Sequence, residues 1–352
     1  MNIMQMTYRE LKDEIAKIIP RNIEYEVDLE AGNIAIITTN MKPFTGQDGL
    51  IGKIARRIKR KIVLRTPIDS MMDMDDAKDV IQDIIPEDAD ITEMYFDACY
   101  REVTIQCRQP GTAIGRRGEN SNAIRDKTGW AVKVERTPPL FSKTVHDIRM
   151  YRQTHGDERR KLLKDFGLNI HRPTRPGGTW ARVTALGSYR EVGRACHYVT
   201  TNESRIMIDV GVNIASDTDP MPFFNAPEAL PLDKLDAVVL THSHLDHAGM
   251  LPVLFKYGYR GPVYCTPPTR DLMLLLQTDY LKVGGAEGKR TPYDMEDIRM
   301  CMKHVVDVDW DSTTDIAPDV KLTFSNAGHI LGSSAVHLNI ACLLYTSDAA
   351  DD

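Results

Sequence analysis

The chain has 352 residues, 42% hydrophobic and 27% charged, a balance that excludes a disordered tail and calls for two or three globular domains. Its 44 basic and 50 acidic residues leave a net charge of -6, which excludes a general polyanion binder and leaves any nucleic-acid contact to local basic patches. Six cysteines (Cys99, Cys107, Cys196, Cys265, Cys301, Cys342) lack a CxxC pair, and no apolar signal segment or bilayer-length run occurs, so a cytoplasmic protein with no disulfides and no membrane partner is expected.

Leu11, Ile15, Ile18 and Ile19 recur at helical spacing before Pro20 and predict an opening helix over 8–19. The runs 23–29 and 33–39 flank the turn signal Glu30-Ala31-Gly32 and predict a hairpin. Leu50, Ile51, Ile54 and Ile58 return to the helical period, and 61–65 reads as a closing strand. The order then repeats as a helix over 75–85, hairpin strands over 91–100 and 102–108, a helix over 120–128 and a strand over 131–136. Two copies of one small α/β unit, 1–67 and 68–143, is the economical reading.

In the second copy, Gly115 and Gly118 bracket Arg116 and Arg117 at the entrance of a helix. Glycines at both ends let backbone approach a nucleic-acid strand, the helix start presents free N–H groups, and the arginines suit phosphates. This resembles the GxxG loop of a type II KH domain, which clamps single-stranded RNA or DNA. The first copy carries Gly49-Leu50-Ile51-Gly52 at the same place, where the apolar pair suits a helix face. Lys53, Arg56, Arg57, Lys59, Arg60 and Lys61 then form a run with no acid among them, suited to tracking a phosphate backbone or to a solvated helix face.

Residues 144–178 read as a connector, charge-rich and helical to Phe166, then a Pro/Gly-rich linker from Gly167 to Gly178 in which His171 is expected at the surface. Beyond it, 180–186, 197–201 and 204–210 read as strands, the last ending at Asp209, a carboxylate placed to brace a neighbouring loop or to cap a turn.

The apolar run Leu235–Leu240 reads as a buried strand, and Thr241-His242-Ser243-His244-Leu245-Asp246-His247 emerges at its C-terminal end. Imidazoles at i and i+2 with a carboxylate and imidazole at i+4 and i+5 do not converge on one tetrahedral ion without strain, so two adjacent ions fit the spacing better. Downstream, His329 follows a strand-like Val320–Phe324 among small residues and can join His242 and His244 as the third nitrogen of one ion.

Asp209, His242-x-His244-x-Asp246-His247 and Ala327-Gly328-His329-Ile330-Leu331-Gly332-Ser333 resemble motifs one to three of the metallo-β-lactamase superfamily, specifically its β-CASP nuclease branch. Two KH-like units ahead of such a core resemble the archaeal cleavage and polyadenylation specificity factor family of RNA-processing and transcription-termination nucleases. The likeness covers Met1 to roughly Ala341. It implies mixed α+β and α/β character: two type II KH-like units followed by a partial metallo-β-lactamase αβ/βα sandwich over 179–342. It also implies His242, His244 and His329 on one zinc, Asp246 and His247 on a second, and Asp209 orienting the ligand loop, with two Zn(2+) ions in the intact protein. Homodimer formation and transcription machinery as a partner follow from the same likeness.

The family continues with a strand, an aspartate bridging both metals, and further histidines. Residues 343–352 are expected neither to continue the sheet nor to match the family, and Asp348 stands near the bridging position in the wrong context. A C-terminal truncation, with a second ion short of ligands, is the expectation. The expected function of the intact protein is zinc-dependent cleavage of single-stranded RNA in 3'-end processing and transcription termination, endonucleolytic, with a 5'-3' exonuclease activity left open beside it. Asp246, His247 and Asp209 would be its catalytic residues, Asp246 also orienting the nucleophile, with Gly115, Arg116, Arg117 and Gly118 on the RNA. An RNA-binding fragment without catalysis and a hydrolase of a small ester or thioester are the other readings.

Overall fold

The structure, a computed structural model, describes residues 6–46, 49–174, 180–216 and 218–340 and the backbone of 343–347. The chain divides into two units, Lys12–Lys164 and Asp165–Asp352 with Met1–Leu11.

The elements of the first unit come in two rounds. Helix α1 (Tyr8–Ala16) leads to strands β1 (Glu26–Glu30) and β2 (Asn33–Ile37), then helix α2 (Leu50–Ile58) and strand β3 (Ile62–Arg65). The strands β1 and β2 form an antiparallel hairpin, and β3 joins β2 in parallel, Ile34 opposite Ile62. Helix α3 (Met74–Ile84), strands β4 (Ile91–Asp97) and β5 (Glu102–Cys107), helices α4 (Pro110–Ile114) and α5 (Glu119–Thr128) and strand β6 (Ala131–Arg136) repeat the plan. Here too an antiparallel pair is extended by a parallel strand, in the order β4-β5-β6. In the second round the alternating strand residues Val103 and Ile105 meet Ile81, Ile124 and Trp130 in a shared core, and Phe96 sets its ring edge-on to Trp130 at 5.0 Å.

Helices α6 (Lys143–Thr154) and α7 (Gly156–Ile170) fill the expected connector. Two expectations fail there. Helix α7 runs on through Gly167 to Ile170, and His171, expected at the surface, is buried. Burial of Phe166 and Ile170 outweighs the roughly 1 kcal/mol cost of a helical glycine. Residues 175–178 of the expected linker lie outside the described residues.

Arg159 of α7 donates twice to the Asp97 carboxylate, at 2.7 and 2.9 Å, with its side chain 2% exposed. Burial alone would raise the Asp97 carboxyl, but Arg159 and Arg152 overcome it and hold the group below the usual carboxylate range. The lowered folded value means that the stabilisation is present above about pH 4 and is lost as the pH falls further. Arg159→Ala would remove the buried guanidinium and leave the half-buried Asp97 carboxylate short of its nearest cation, and is expected to cost about 3 kcal/mol in urea denaturation at pH 7.

The second unit begins with β7 (Ala181–Ala185), β8 (His197–Thr201) and β9 (Arg205–Ile208), followed by β10 (Ala237–Val239), short helices α8 (Leu245–Ala248) and α9 (Leu251–Lys256) and strand β11 (Val263–Cys265). Helices α10 (Pro267–Ala286) and α11 (Met295–His304) lead to β12 (Val305–Asp307), then β13 (Thr313–Ala317), β14 (Val320–Asn326), β15 (Ser334–Ile340) and β16 (Leu343–Ser347). One sheet runs β12-β11-β10-β9-β8-β7, parallel from β9 to β12; the other is the antiparallel β13-β14-β15-β16. Every residue of β10 is fully buried, as a central parallel strand covered on both faces requires. The strand β16 corrects the expectation for 343–347: these residues pair with β15, Val336 opposite Ser347 and Ile340 opposite Leu343. Leu-Leu-Tyr-Thr has strand propensity of its own.

Cys99, Cys107, Cys196, Cys265 and Cys301 are buried free thiols, and Cys342 lies outside the described residues. Among the described residues no helix is long and apolar enough to cross a membrane.

Candidate metal centre

Strand β10 ends at Val239, and the chain turns outward through Leu240 and Thr241 to His242 and His244 before α8 carries Asp246 and His247. The loop between β14 and β15 reaches the same place because the Ser334 N–H donates to the Thr241 carbonyl at 2.9 Å, stitching the start of β15 to the end of β10. Asn326 donates no slack: its side chain accepts from the Gly328 N–H at 2.8 Å, and Ser333 Oγ accepts from the His329 and Ile330 N–H groups, both at 3.1 Å. Thr269 Oγ1 donates to the Gly332 carbonyl at 2.9 Å and fixes the far end of the loop.

Three imidazole nitrogens therefore converge. His244 Nδ1 lies 3.1 Å from His242 Nε2 and 3.2 Å from His329 Nε2, and one ligand atom from each ring falls within 4.8 Å of the others. Tetrahedral zinc with Zn–N bonds of 2.0–2.1 Å separates its nitrogens by about 3.3 Å, so the donor set fits such an ion. Burial pushes His242 down to about 4, with His247 adding to the effect, and burial lowers His244 as well. Both rings are neutral at pH 7, the form that ligates.

Asp209 braces the arrangement from beneath. Its carboxylate accepts from the Thr241 N–H and Oγ–H, each at 2.8 Å, and from His247 Nδ1 at 2.8 Å. Since the Thr241 hydroxyl spends its proton on Asp209, it accepts from His242 Nδ1 at 2.9 Å, which leaves His242 Nε2 with its lone pair toward the cluster. The same logic puts the proton of His247 on Nδ1 and its lone pair on Nε2, and that atom faces Asp246 Oδ2 at 3.6 Å. Asp209 holds this position with φ of 60°, in the left-handed region, where a non-glycine residue stores strain.

In the first unit, Gly115 (φ 76°), Arg117 (φ 51°) and Gly118 (φ 78°) turn the chain between α4 and α5. A Cβ on Gly115 would lie 2.8 Å from Glu119 Cγ, so the turn needs glycine there. Arg116 and Arg117 are exposed. The basic run of the first repeat is thinner than its sequence suggested: Arg57, although exposed, pairs with the buried Glu14 at 2.7 Å, and Arg60 is itself buried, while Lys53, Arg56, Lys59 and Lys61 are exposed.

Residues 198–347 match the metallo-beta-lactamase superfamily domain, and residues 5–71 match the KH domain of transcription termination factor FttA. The chain is 43% identical over 332 residues to the FttA of Methanosarcina mazei, covering 94% of this chain and 52% of that protein. With the FttA of Lokiarchaeum sp. it shares 37% identity over 350 residues, 98% of this chain and 55% of that one. The chain belongs to the FttA family. It spans about half the length of the curated relatives it matches. The metallo-beta-lactamase fold protein YhfI from Bacillus subtilis is similar over 48% of this chain and 61% of its own, at 18% identity and a TM-score of 0.31.

In this FttA-family chain the KH match falls on the first repeat, whose Leu50 and Ile51 are half-buried in α2, while the exposed Arg116-Arg117 loop belongs to the second. The predicted His242, His244 and His329 come together, Asp246 and His247 form a neighbouring pair, and Asp209 lies under both sets. Asp348 lies outside the described residues. Sequence reasoning assigned no role to Thr241 or Ser333, whose hydroxyls set the tautomer of His242 and the path of the His329 loop. The signal available was position alone, each hydroxyl sitting beside a ligand motif. Thr241→Val is expected to weaken zinc binding about 10–100-fold in chelator competition, with about 1–3 kcal/mol lost from stability, because Asp209 and His242 both lose a partner.

Proposed function

We propose that the intact protein is a zinc-dependent ribonuclease of transcription termination and RNA 3'-end processing, which holds single-stranded RNA on its KH-like units and cuts it at the histidine centre. The observation that carries this is the convergence of His242, His244 and His329 over a carboxylate brace, in a chain whose relatives are named as termination factors. Zinc held there would supply Lewis acidity toward a phosphoryl oxygen and an acidified water. The chain's own part is to fix three imidazoles through Thr241 and Ser333, and to place the Asp246 carboxylate and His247 Nε2 side by side, where a second ion would find two ligands. Exposed Arg116 and Arg117 at the start of α5 offer guanidinium groups to the phosphates of the bound strand. Homodimerisation and docking on the transcription machinery belong to the same proposal by family resemblance.

A second reading is favoured by one observation: among the described residues the second subsite offers only Asp246 and His247. On that reading this chain binds RNA without cutting it. End-labelled single-stranded RNA incubated with the chain, with zinc content measured in parallel and a chelator control, separates the two. Chelator-sensitive cleavage supports the nuclease; binding at one zinc or less with no cleavage supports the binding fragment. Arg116→Asp with Arg117→Asp is expected to weaken binding at least about 10-fold under either, since two phosphate contacts become repulsions.

A further inference from the structure

The two KH-like repeats meet at a cleft of about 600 Å³ in which the segment after β2, the segment after β3 and the C-terminal end of α5 face one another. Lys42, Arg125 and Lys127 line it against a single acid, Asp126, which is drawn to Arg125 at 3.4 Å. Hydroxyls of Thr45 and Thr66 contribute to the wall, and Met41 is its one long apolar side chain. A pocket for an uncharged small molecule is mostly apolar; this one offers cations and hydroxyls, the groups that meet phosphates and sugars. Lys42 and Lys127 are exposed and make no ion pair among the described residues. The carbonyl end of α5 brings about half a negative charge to the cleft, which the three cations outweigh.

Helix geometry connects this cleft to the Arg116-Arg117 loop. Gly118, Asn122, Arg125 and Gly129 follow at intervals of four, three and four residues, so they share one face of α5 and its caps. Asn122 is exposed on that face. The face runs about 16 Å from the loop to the cleft at 1.5 Å per residue.

We propose that the cleft is a second phosphate-binding subsite, which receives a single RNA strand leaving the GxxG loop along this face of α5. The inference rests on the RNA-binding reading given above. It makes the junction between the repeats part of the binding surface and gives the chain a preference for strands long enough to reach both places.

The test is binding of labelled single-stranded RNA to the full chain, comparing a strand of about four nucleotides, enough to fill a GxxG loop, with one of about twelve. Lys42→Gln with Lys127→Gln is expected to weaken the longer strand about 10-fold and to lower its salt slope by roughly 1.4, two contacts at about 0.7 each, leaving the short strand unchanged. Both residues are exposed, so the fold tolerates the change. Equal weakening of both lengths, or none, overturns the cleft. If Arg116→Asp with Arg117→Asp loses binding while the lysine variant keeps wild-type affinity and slope, the cleft alone falls and the RNA reading stands. If the unaltered chain binds neither strand, the RNA reading falls and takes the inference with it.

Discussion

On the proposed zinc-site reading, His244→Ala is expected to abolish zinc binding and, with it, at least 100-fold of any RNA cleavage, beyond the roughly 10–100-fold typical of an outer partner. His244 is the hub of the three-nitrogen cluster, since its Nδ1 is the atom within 3.1 and 3.2 Å of the other two nitrogens. Loss of that ring leaves two ligands, His242 and His329, and two imidazoles do not hold an ion in the four-coordinate geometry zinc adopts. The ring is only partly buried, so the fold survives: the unfolding free energy of the metal-free variant in urea is expected within about 0.5 kcal/mol of that of the metal-free parent. Zinc content by atomic emission, cleavage of labelled RNA and the denaturation curve together give the answer. Retained zinc at full stoichiometry with unchanged cleavage would remove the histidine cluster from the chemistry and return the Asp246–His247 pair to first consideration.

How much of this is legible in the sequence depends on how local each feature is. The His242–His247 stretch could be read because its ligands, their strand and their turn lie within one short run, so spacing alone restricts the chemistry. His329 is 85 residues from His244 in sequence. Only the motif likeness joined it to the site, and the physical link is a backbone bond between Ser334 and Thr241 that carries no sequence signal. Hydroxyl groups such as Thr241 and Ser333 have no periodicity to read; their roles arise from which neighbour needs a donor or an acceptor. His171 was misplaced because Pro and Gly mark a loop by composition, while burial of Phe166 and Ile170 decides where α7 ends. Arg57 belongs by sequence to an uninterrupted basic run, and its partner Glu14 lies 43 residues earlier, out of reach of any local pattern. The repeat of the first unit, by contrast, was legible in order except for the short α4, since hairpin, longer helix and strand each leave a period in the sequence.

Gly211→Ala is expected to cost more than about 4 kcal/mol, enough to threaten a domain whose whole stability is on the order of 5–15 kcal/mol. The chain passes Asp209 and threads Gly211 between two other backbones. Its N–H donates to the Ala195 carbonyl at 2.9 Å, the Ala195 N–H donates to the Asp246 carbonyl at 2.8 Å, and Val210 and Val212 donate to His247 and Leu245 on either side. A Cβ at position 211 would fall 1.5 Å from the Asp246 carbonyl oxygen and 2.7 Å from the Ala195 nitrogen, both backbone atoms with no rotamer to escape into. Relief requires the segments to part. Those interlocked bonds are worth about 1 kcal/mol each, and the separation would leave buried groups unpaired at about 1–3 kcal/mol apiece. The same movement would carry Asp246 and His247 away from Asp209, so zinc binding and stability are expected to fall together. Gly285→Ala is the control: it lies in α10 with nothing within 4 Å of the added carbon, and helix propensity predicts a gain of up to about 1 kcal/mol there. Urea denaturation of both variants beside the parent distinguishes a crowded backbone from a general response to losing glycine. A Gly211→Ala chain that unfolded at the parent's midpoint and kept its zinc would mean that the backbone beside Asp246 is free to move, and the brace from Asp209 through His247 would lose its physical basis.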